Sequence, residues 1–139
     1  GNEGLNAALI KAVQECREKE IRFRYVIMGR PDRIDSMDMG TLLYNLLSNG
    51  IEACMAVETE RELELVVREE DGTTEIFMEN TISGSVLKNN PNLESRKQDK
   101  RYHGFGIESI RGIIGKYQGH YSYREESGRF IQEIDLRDG

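Results

Sequence analysis

Asn45 and Asn49 lie four residues apart in the run Tyr44-Asn45-Leu46-Leu47-Ser48-Asn49-Gly50-Ile51-Glu52-Ala53, and the Glu52 carboxylate follows one turn beyond. On a helix this spacing makes the two amides neighbours on one face. Amide and carboxylate oxygens are hard donors. Magnesium takes such oxygens in octahedral geometry and keeps several waters. Further along, His103-Gly104-Phe105-Gly106-Ile107 sets two glycines at the expected start of another helix. Glycine allows close backbone approach, and the N–H groups of a helix N-terminus attract phosphate. Together the two stretches suggest a magnesium–nucleotide site. Taken singly each has an ordinary reading, as solvent-facing asparagines and as a turn before a helix. The glycine pair lacks the GK[ST] ending of a P-loop and the preceding strand of a dinucleotide fingerprint.

Hydrophobic periodicity supplies the elements that must position these residues. Leu5, Leu9, Ala12, Val13 and Cys16 have helical spacing between Leu5 and Lys19. Ile21, Phe23, Tyr25 and Ile27 alternate with Arg22, Arg24 and Val26, as in a strand. Asp35 or Ser36 caps a second helix, expected to run to about Val57. Its Leu43, Leu47, Ile51 and Cys54 face one way, and Asn45, Asn49, Glu52 and Ala56 the other. Asparagine is a poor helix former, so two of them on the polar face are unexpected.

Leu63, Leu65 and Val67 mark a strand, Asp71-Gly72 a hairpin turn, and Ile76, Met78 and Asn80 one face of the return strand. Thr81 to Tyr102 lacks periodicity and is unusually long for a connection, as lids are. Ile107, Ile110, Ile113, Ile114 and Tyr117 give a third helix ended by Gly119. Tyr121, Tyr123, a Ser127-Gly128 turn, Phe130, Ile134 and Leu136 close with a hairpin. The expected fold is a two-layer α/β sandwich, with a mixed, mostly antiparallel sheet, helices on one face and the other face solvated.

The chain has 139 residues, 37% hydrophobic and 32% charged, which fits one compact domain with a core of its own. Nineteen basic against 25 acidic side chains give a net charge of −6, which argues against nucleic-acid binding through bulk charge. Cys16 and Cys54 have no ligand-type spacing, so zinc and a disulfide framework are not expected, and both read as buried thiols. No apolar run is long enough to span a bilayer, and no signal peptide is visible. The chain does not begin with methionine and is expected to be a processed product or excised fragment.

Asn80 ends a strand facing inward, where a purine edge could satisfy its amide, although a turn-forming asparagine reads equally well. Lys97, Lys100 and Arg101 precede the glycines and either screen phosphate or belong to a solvated loop. His103 either donates to phosphate or is a satisfied loop histidine.

In order and spacing these signals resemble the GHKL ATPase superfamily, which includes histidine kinases, gyrase-type topoisomerases, mismatch-repair ATPases and a heat-shock chaperone. Asn45 to Ala53 resembles its N-box, His103 to Ile107 its second glycine-rich box, and Ile82 to Tyr102 its ATP lid. The resemblance spans essentially the whole chain. It is strongest to the catalytic and ATP-binding domain of sensor histidine kinases, in particular the peptide-pheromone, quorum-sensing group. That group typically has an N-L-L-x-N-A-I-E-A box and an H-G-x-G-I/L box. The opening Gly1-Asn2 with Leu5-Asn6-Ala7 is also similar to the start of its ATP-binding domain.

The resemblance implies one Bergerat-type domain over residues 1–139 with an ATP lid at about 82–103, and ATP and Mg2+ as ligands. Asn49 is then the magnesium ligand, and Asn45 the catalytic position. Asn45 stands where gyrase-like members carry a glutamate base, and an asparagine cannot take a proton from water at neutral pH, which favours kinase over hydrolase. Asn45, Asn49, Ala53, Asn80, Lys97, His103, Gly104, Phe105, Gly106 and Ile107 would line the nucleotide. Asn80 replaces the aspartate of the D-x-G-x-G box in the degenerate run Asn80-Thr81-Ile82-Ser83-Gly84, as the pheromone group commonly does. Gly50 replaces the usual alanine, at about 1 kcal/mol of helix stability.

The implied activity is transfer of the ATP γ-phosphate to a histidine on a dimerisation domain absent from this chain. The implied partners are that domain and a response regulator, with no nucleic acid. A monomeric fragment of a homodimeric protein is expected, cytoplasmic itself and anchored by the full-length protein in the bacterial plasma membrane. The alternatives are a nucleotide-gated, non-catalytic interaction module and an anti-sigma-type serine kinase of the same fold.

Overall fold

A computed structural model describes residues 2–88, 90–93 and 104–137. The elements follow the expected order: α1 (Glu3–Glu18), β1 (Arg22–Met28), α2 (Ser36–Met55), β2 (Glu62–Glu70), β3 (Thr73–Thr81), α3 (Gly104–Lys116), β4 (His120–Glu126) and β5 (Arg129–Arg137). The strands form one five-stranded sheet in the order β1-β2-β3-β5-β4. β1 runs parallel to β2, and the other neighbours are antiparallel. The α/β sandwich with a mixed sheet is therefore as expected.

Alternation along the strands creates the two layers. Leu63, Leu65 and Val67 of β2 pair with Asn80, Met78 and Ile76 of β3, and all six are buried under the helices. Between them Glu64, Val66 and Arg68 face the other side, partly or fully exposed. α2 is the centre of the helical layer. Its apolar arc is wider than the sequence suggested, because Met39, Leu42, Leu46 and Gly50 are buried with Leu43, Leu47, Ile51 and Cys54. A helix packed against both a sheet and two neighbouring helices needs such a broad arc.

The helix starts are fixed by side chains. Asn2 caps α1, its Oδ1 accepting from Leu5 N–H at 3.0 Å while its Nδ2 donates to the carbonyls of Pro31 and Ile34. One buried residue thus ties α1 to the chain entering α2. Asp35 caps α2 by accepting from Asp38 N–H. Ser36 instead accepts from the Gly4 N–H at 2.7 Å. There the two helices cross glycine on glycine: a Cβ on Gly4 would overlap the Ser36 carbonyl oxygen, and one on Gly40 would lie 3.2 Å from the Gly4 Cα.

α2 stops at Met55, short of the expected Val57, where Ala56 and Val57 donate back to Ala53 and Cys54 and tighten the last turn. At the end of α3 the sequence reading needs correction. Gln118, not Gly119, takes the left-handed conformation, with φ 52°. Gly119 is required for space, since a Cβ there would overlap the Asp135 carbonyl oxygen. The C-terminal turn of α3 is clamped to the start of α2. Tyr117 O–H donates to Asp38 Oδ2 at 2.5 Å, and Lys116 Nζ donates to the same oxygen at 2.8 Å.

Both hairpins turn on residue pairs with positive φ, Asp71-Gly72 and Ser127-Gly128, as two-residue turns of this twist require. Cys16 and Cys54 are free and buried. Burial first, and then the neighbouring Cys54, push the Cys16 thiol up to about 12, which makes it an inert core group. Among the described residues, no helix is long and apolar enough to cross a membrane.

Candidate functional site

α2 carries Asn45, Asn49 and Ala53 at successive i,i+4 positions, each only half-buried. The opposite arc is locked into the core, so this face is fixed in direction. Asn45 Nδ2 donates to the Thr41 carbonyl at 2.9 Å. That bond uses one of the two amide hydrogens. Asn49 makes no side-chain hydrogen bond among the described residues, so its amide is available to a ligand.

α3 meets this face with its first turn. A Cβ added to Gly106 would lie 3.7 Å from Asn45 Oδ1 and 3.7 Å from both amide atoms of Asn49. Both asparagines and the glycine pair thus converge, although they are more than fifty residues apart in the chain. Gly104 and Gly106 lie in the first turn of the helix, at its expected start. This strengthens the phosphate reading, because first-turn N–H groups have no partner within the helix. Ile107 packs partly buried against the core and anchors that turn. Gly104 and Phe105 begin α3, and their side-chain environment is outside the described residues, as are Lys97, Lys100, Arg101 and His103 entirely.

Asn80 forms the floor on the sheet side. It is 1% exposed, and its Nδ2 donates to the Thr81 carbonyl at 3.1 Å. Its Oδ1 is turned toward α2, 3.6 Å from where a Gly50 Cβ would stand. The same Cβ would meet Leu63 Cδ1 at 2.8 Å and Met78 Cε at 3.2 Å. Gly50 is therefore more than a tolerated substitution, because it lets α2 sit close to β2 and β3. Thr81 is a site neighbour that periodicity did not single out. Its Oγ1 accepts from Glu62 N–H and lies 3.5 Å from Cys54 Sγ, tying the β3 end to α2.

The first part of the long connection is held more firmly than its composition suggests. Glu125 on β4 accepts from Ser85 Oγ at 2.6 Å, Val86 N–H at 2.5 Å and Leu87 N–H at 3.0 Å. Farther on, Tyr123 O–H donates to the Pro91 carbonyl, and Arg111 to that of Asn92. The sequence held a signal for this. The alternation of β4 puts Glu125 in the column of Tyr121 and Tyr123, and an acid there needs donors.

Burial raises the Glu125 pKa, but the Ser85 hydroxyl and the Leu87 and Val86 N–H groups outweigh it and hold the carboxyl below its ordinary value. A depressed folded pKa contributes stability above the unfolded value, about 4.3 for glutamate, and loses it as pH falls through the folded value. The Val86 and Leu87 amide resonances should therefore titrate with a midpoint below that of exposed glutamates, and should stop titrating in Glu125→Gln. A midpoint at or above the exposed value would contradict the anchor.

The donor set bears on what the site could hold. Among the described residues, no three His, Cys, Asp or Glu side chains gather to cage a metal ion. The site offers single amide oxygens beside a helix N-terminus. That fits a magnesium ion completed by phosphate and water better than one held by protein alone.

A family model for the GHKL domain matches residues 34–137, well over half of the chain. The catalytic domain of histidine kinase ThkA superposes with a TM-score of 0.77 at 15% identity, over 99% of this chain and 91% of that one. The histidine kinase domain of the Erythrobacter litoralis EL346 blue-light activated histidine kinase gives 0.70 at 14%, over 94% and 59%. Full-length ShkA in complex with AMPPNP gives 0.74 at 14%, over 97% and 29%, so the chain corresponds to a part of that protein. At these identities the likeness is one of fold. No curated protein sequence matches the chain. The α/β sandwich, the asparagine face meeting the glycine turn, and the matched family model agree: this chain belongs to the GHKL domain family.

Proposed function

We propose that this chain, over residues 1–139, is the ATP-binding catalytic domain of a two-component sensor histidine kinase. ATP lies between the Asn45–Asn49 face of α2, the Asn80 end of β3 and the first turn of α3. The observation that carries this reading is the approach of Gly106 to both asparagine amides. Asn49 supplies an oxygen to Mg2+, whose bound form neutralises phosphate charge. Asn45, its amide oriented by the Nδ2 bond to Thr41, presents Oδ1 toward the phosphates. It offers no base for water, which suits phosphotransfer over hydrolysis. Asn80 Oδ1 accepts from the adenine amino group, as an aspartate oxygen would. Ala53 and Ile107 shape the walls. Lys97 and His103, in an ATP lid at about 82–103, balance phosphate charge, and the Glu125 anchor holds the first part of that lid at Ser85, Val86 and Leu87.

The γ-phosphate goes to a histidine on a dimerisation domain outside this chain, and from there to a response regulator. The full-length protein is a membrane-anchored homodimer, and this domain is its cytoplasmic, monomeric part. The asparagine at position 80, where most members carry aspartate, supports a reading within the pheromone-sensing group. Supplying a histidine-bearing dimerisation domain with ATP and Mg2+ tests the reading. Phosphohistidine should form. ATP binding without transfer would favour a nucleotide-gated interaction module, and transfer to serine an anti-sigma-type kinase.

Asn80→Ala should weaken ATP more than a base-free triphosphate, because one buried polar bond is worth about 1–3 kcal/mol. Equal losses for the two ligands, measured by calorimetry, would remove Asn80 from adenine recognition.

A further inference from the structure

The two edges of the sheet are treated differently. Beside β4, Ser85, Val86 and Leu87 are held by Glu125, and Pro91 by Tyr123. Among the described residues, no further strand lies beside β1, which ends the sheet and pairs with β2 alone. Proteins usually blunt such an edge with proline, a bulge or inward-pointing charge. β1 has no proline, bulge or inward-pointing charge, and the charge it does carry, Arg22 and Arg24, is confined to the first half of its outer face, leaving Val26 and Met28 unguarded. Its register with β2 is unbroken from Arg22 to Met28, and its inward column is Phe23, Tyr25 and Ile27.

The parallel ladder decides which groups are free. Arg22 N–H donates to the Arg61 carbonyl at 2.8 Å, so Arg22, Arg24, Val26 and Met28 spend their backbone groups on β2. Phe23, Tyr25 and Ile27 then turn their N–H and C=O groups outward. Among the described residues, no backbone hydrogen bond reaches these three from any other element.

The side chains along this edge describe an occupant. On the outer face Arg22 and Arg24 reach Glu62 and Glu64 across β2, yet stay 74% and 66% exposed. Val26 and Met28 follow them in the same column, 49% and 42% exposed. On the inner face Tyr25 is 47% exposed beside Phe23, with ring centroids 5.4 Å apart. The column therefore reads two cations and then two apolar groups. A second copy paired antiparallel about Tyr25 would set Arg24 against Val26 and Arg22 against Met28, with no acid opposite either arginine. An acidic partner strand satisfies both halves.

We propose that the free edge of β1 docks an extended segment of a partner protein, added antiparallel to β1 as one more strand. That segment carries apolar side chains opposite Met28 and Val26, and carboxylates opposite Arg24 and Arg22. Main-chain bonds to Phe23, Tyr25 and Ile27 supply affinity, and the arginine–apolar column supplies direction and sequence preference. The proposal does not depend on the nucleotide reading.

The probe is a synthetic peptide with valines at its first two outer-face positions, glutamates at its last two, and threonines between. Nuclear magnetic resonance of the whole domain should show slowed amide exchange at Phe23, Tyr25 and Ile27 on adding it. The same peptide with lysines for glutamates should bind at least tenfold more weakly, and the Arg22→Glu, Arg24→Glu double variant should reverse that order. A peptide N-methylated at the residues facing β1 should not bind. Tyr25→Pro should also abolish binding where Tyr25→Ala, which removes the same ring, does not, since proline deletes an outward N–H and no bond to β2. The N-methylated peptide keeps the test valid even if that variant misfolds. No protection at the three amides at millimolar peptide would overturn the proposal, as would equal binding of the acidic and basic peptides. Concentration-dependent dimerisation that protects β1 without peptide would also overturn it, by making a second copy the occupant.

Discussion

Asn49→Ala is expected to lower phosphotransfer to a supplied histidine domain by about 10²–10³-fold, the usual cost of deleting one preorganised group that stabilises developing charge. Asn49 is half-buried on the face of α2 that meets Gly106, outside the core arc that fixes the helix. Alanine is also the better helix former, so thermal stability without nucleotide should hold or rise slightly. The decisive readout is the split between the two. Retained melting temperature with lost transfer assigns Asn49 to the ligand. A melting temperature that falls with activity would make the residue structural. Asn49→Asp should recover part of the activity, because it restores an oxygen at the same place.

Gly4→Ala is expected to be the most damaging small substitution in the helical layer. Intrinsic propensity alone predicts a gain of about 1 kcal/mol for glycine to alanine inside a helix. At Gly4 the new methyl would overlap the Ser36 carbonyl and crowd the Gly40 nitrogen at 2.8 Å, and backbone cannot rotate away as a side chain can. Overpacking of this kind typically costs about 1–3 kcal/mol, and separating α1 from α2 would also strain the Ser36 bond to Gly4 N–H. The melting temperature should fall by roughly 3 °C or more per kcal/mol in a domain of this size. Gly112→Ala is the control, because a Cβ there meets nothing within 4 Å, and it should stabilise. If both variants melt alike, the glycine crossing is not what sets the α1–α2 distance.

Much of this molecule is legible in its sequence because its signals are local. Strand alternation around Leu63–Leu65–Val67 and Ile76–Met78–Asn80, and the Asp71-Gly72 and Ser127-Gly128 turns, encode hairpins within a few residues. The Asn45–Asn49 face is likewise a matter of helical spacing. Features that depend on what another element does at the same place were not legible. Gly4 lies just outside the helix expected from Leu5 on, and nothing marks it until Ser36 is packed against it. Gly50 reads as a weak helix position until Leu63 and Met78 are seen to need its space. Gly119 looks like a left-handed cap, but Gln118 takes that conformation, because the steric demand comes from β5. The Glu125 anchor joins residues about forty positions apart, and only an acid in an inward-facing column hinted at it.

The central claim is that the asparagine face and the glycine turn form one magnesium–nucleotide site. Calorimetric titration of the whole domain with ATP, with and without Mg2+, tests it most directly. Saturable binding in the micromolar-to-millimolar range is expected, strengthened by Mg2+ and weaker for GTP. Binding at equal strength to GTP, or no binding in the presence of Mg2+, would contradict the account.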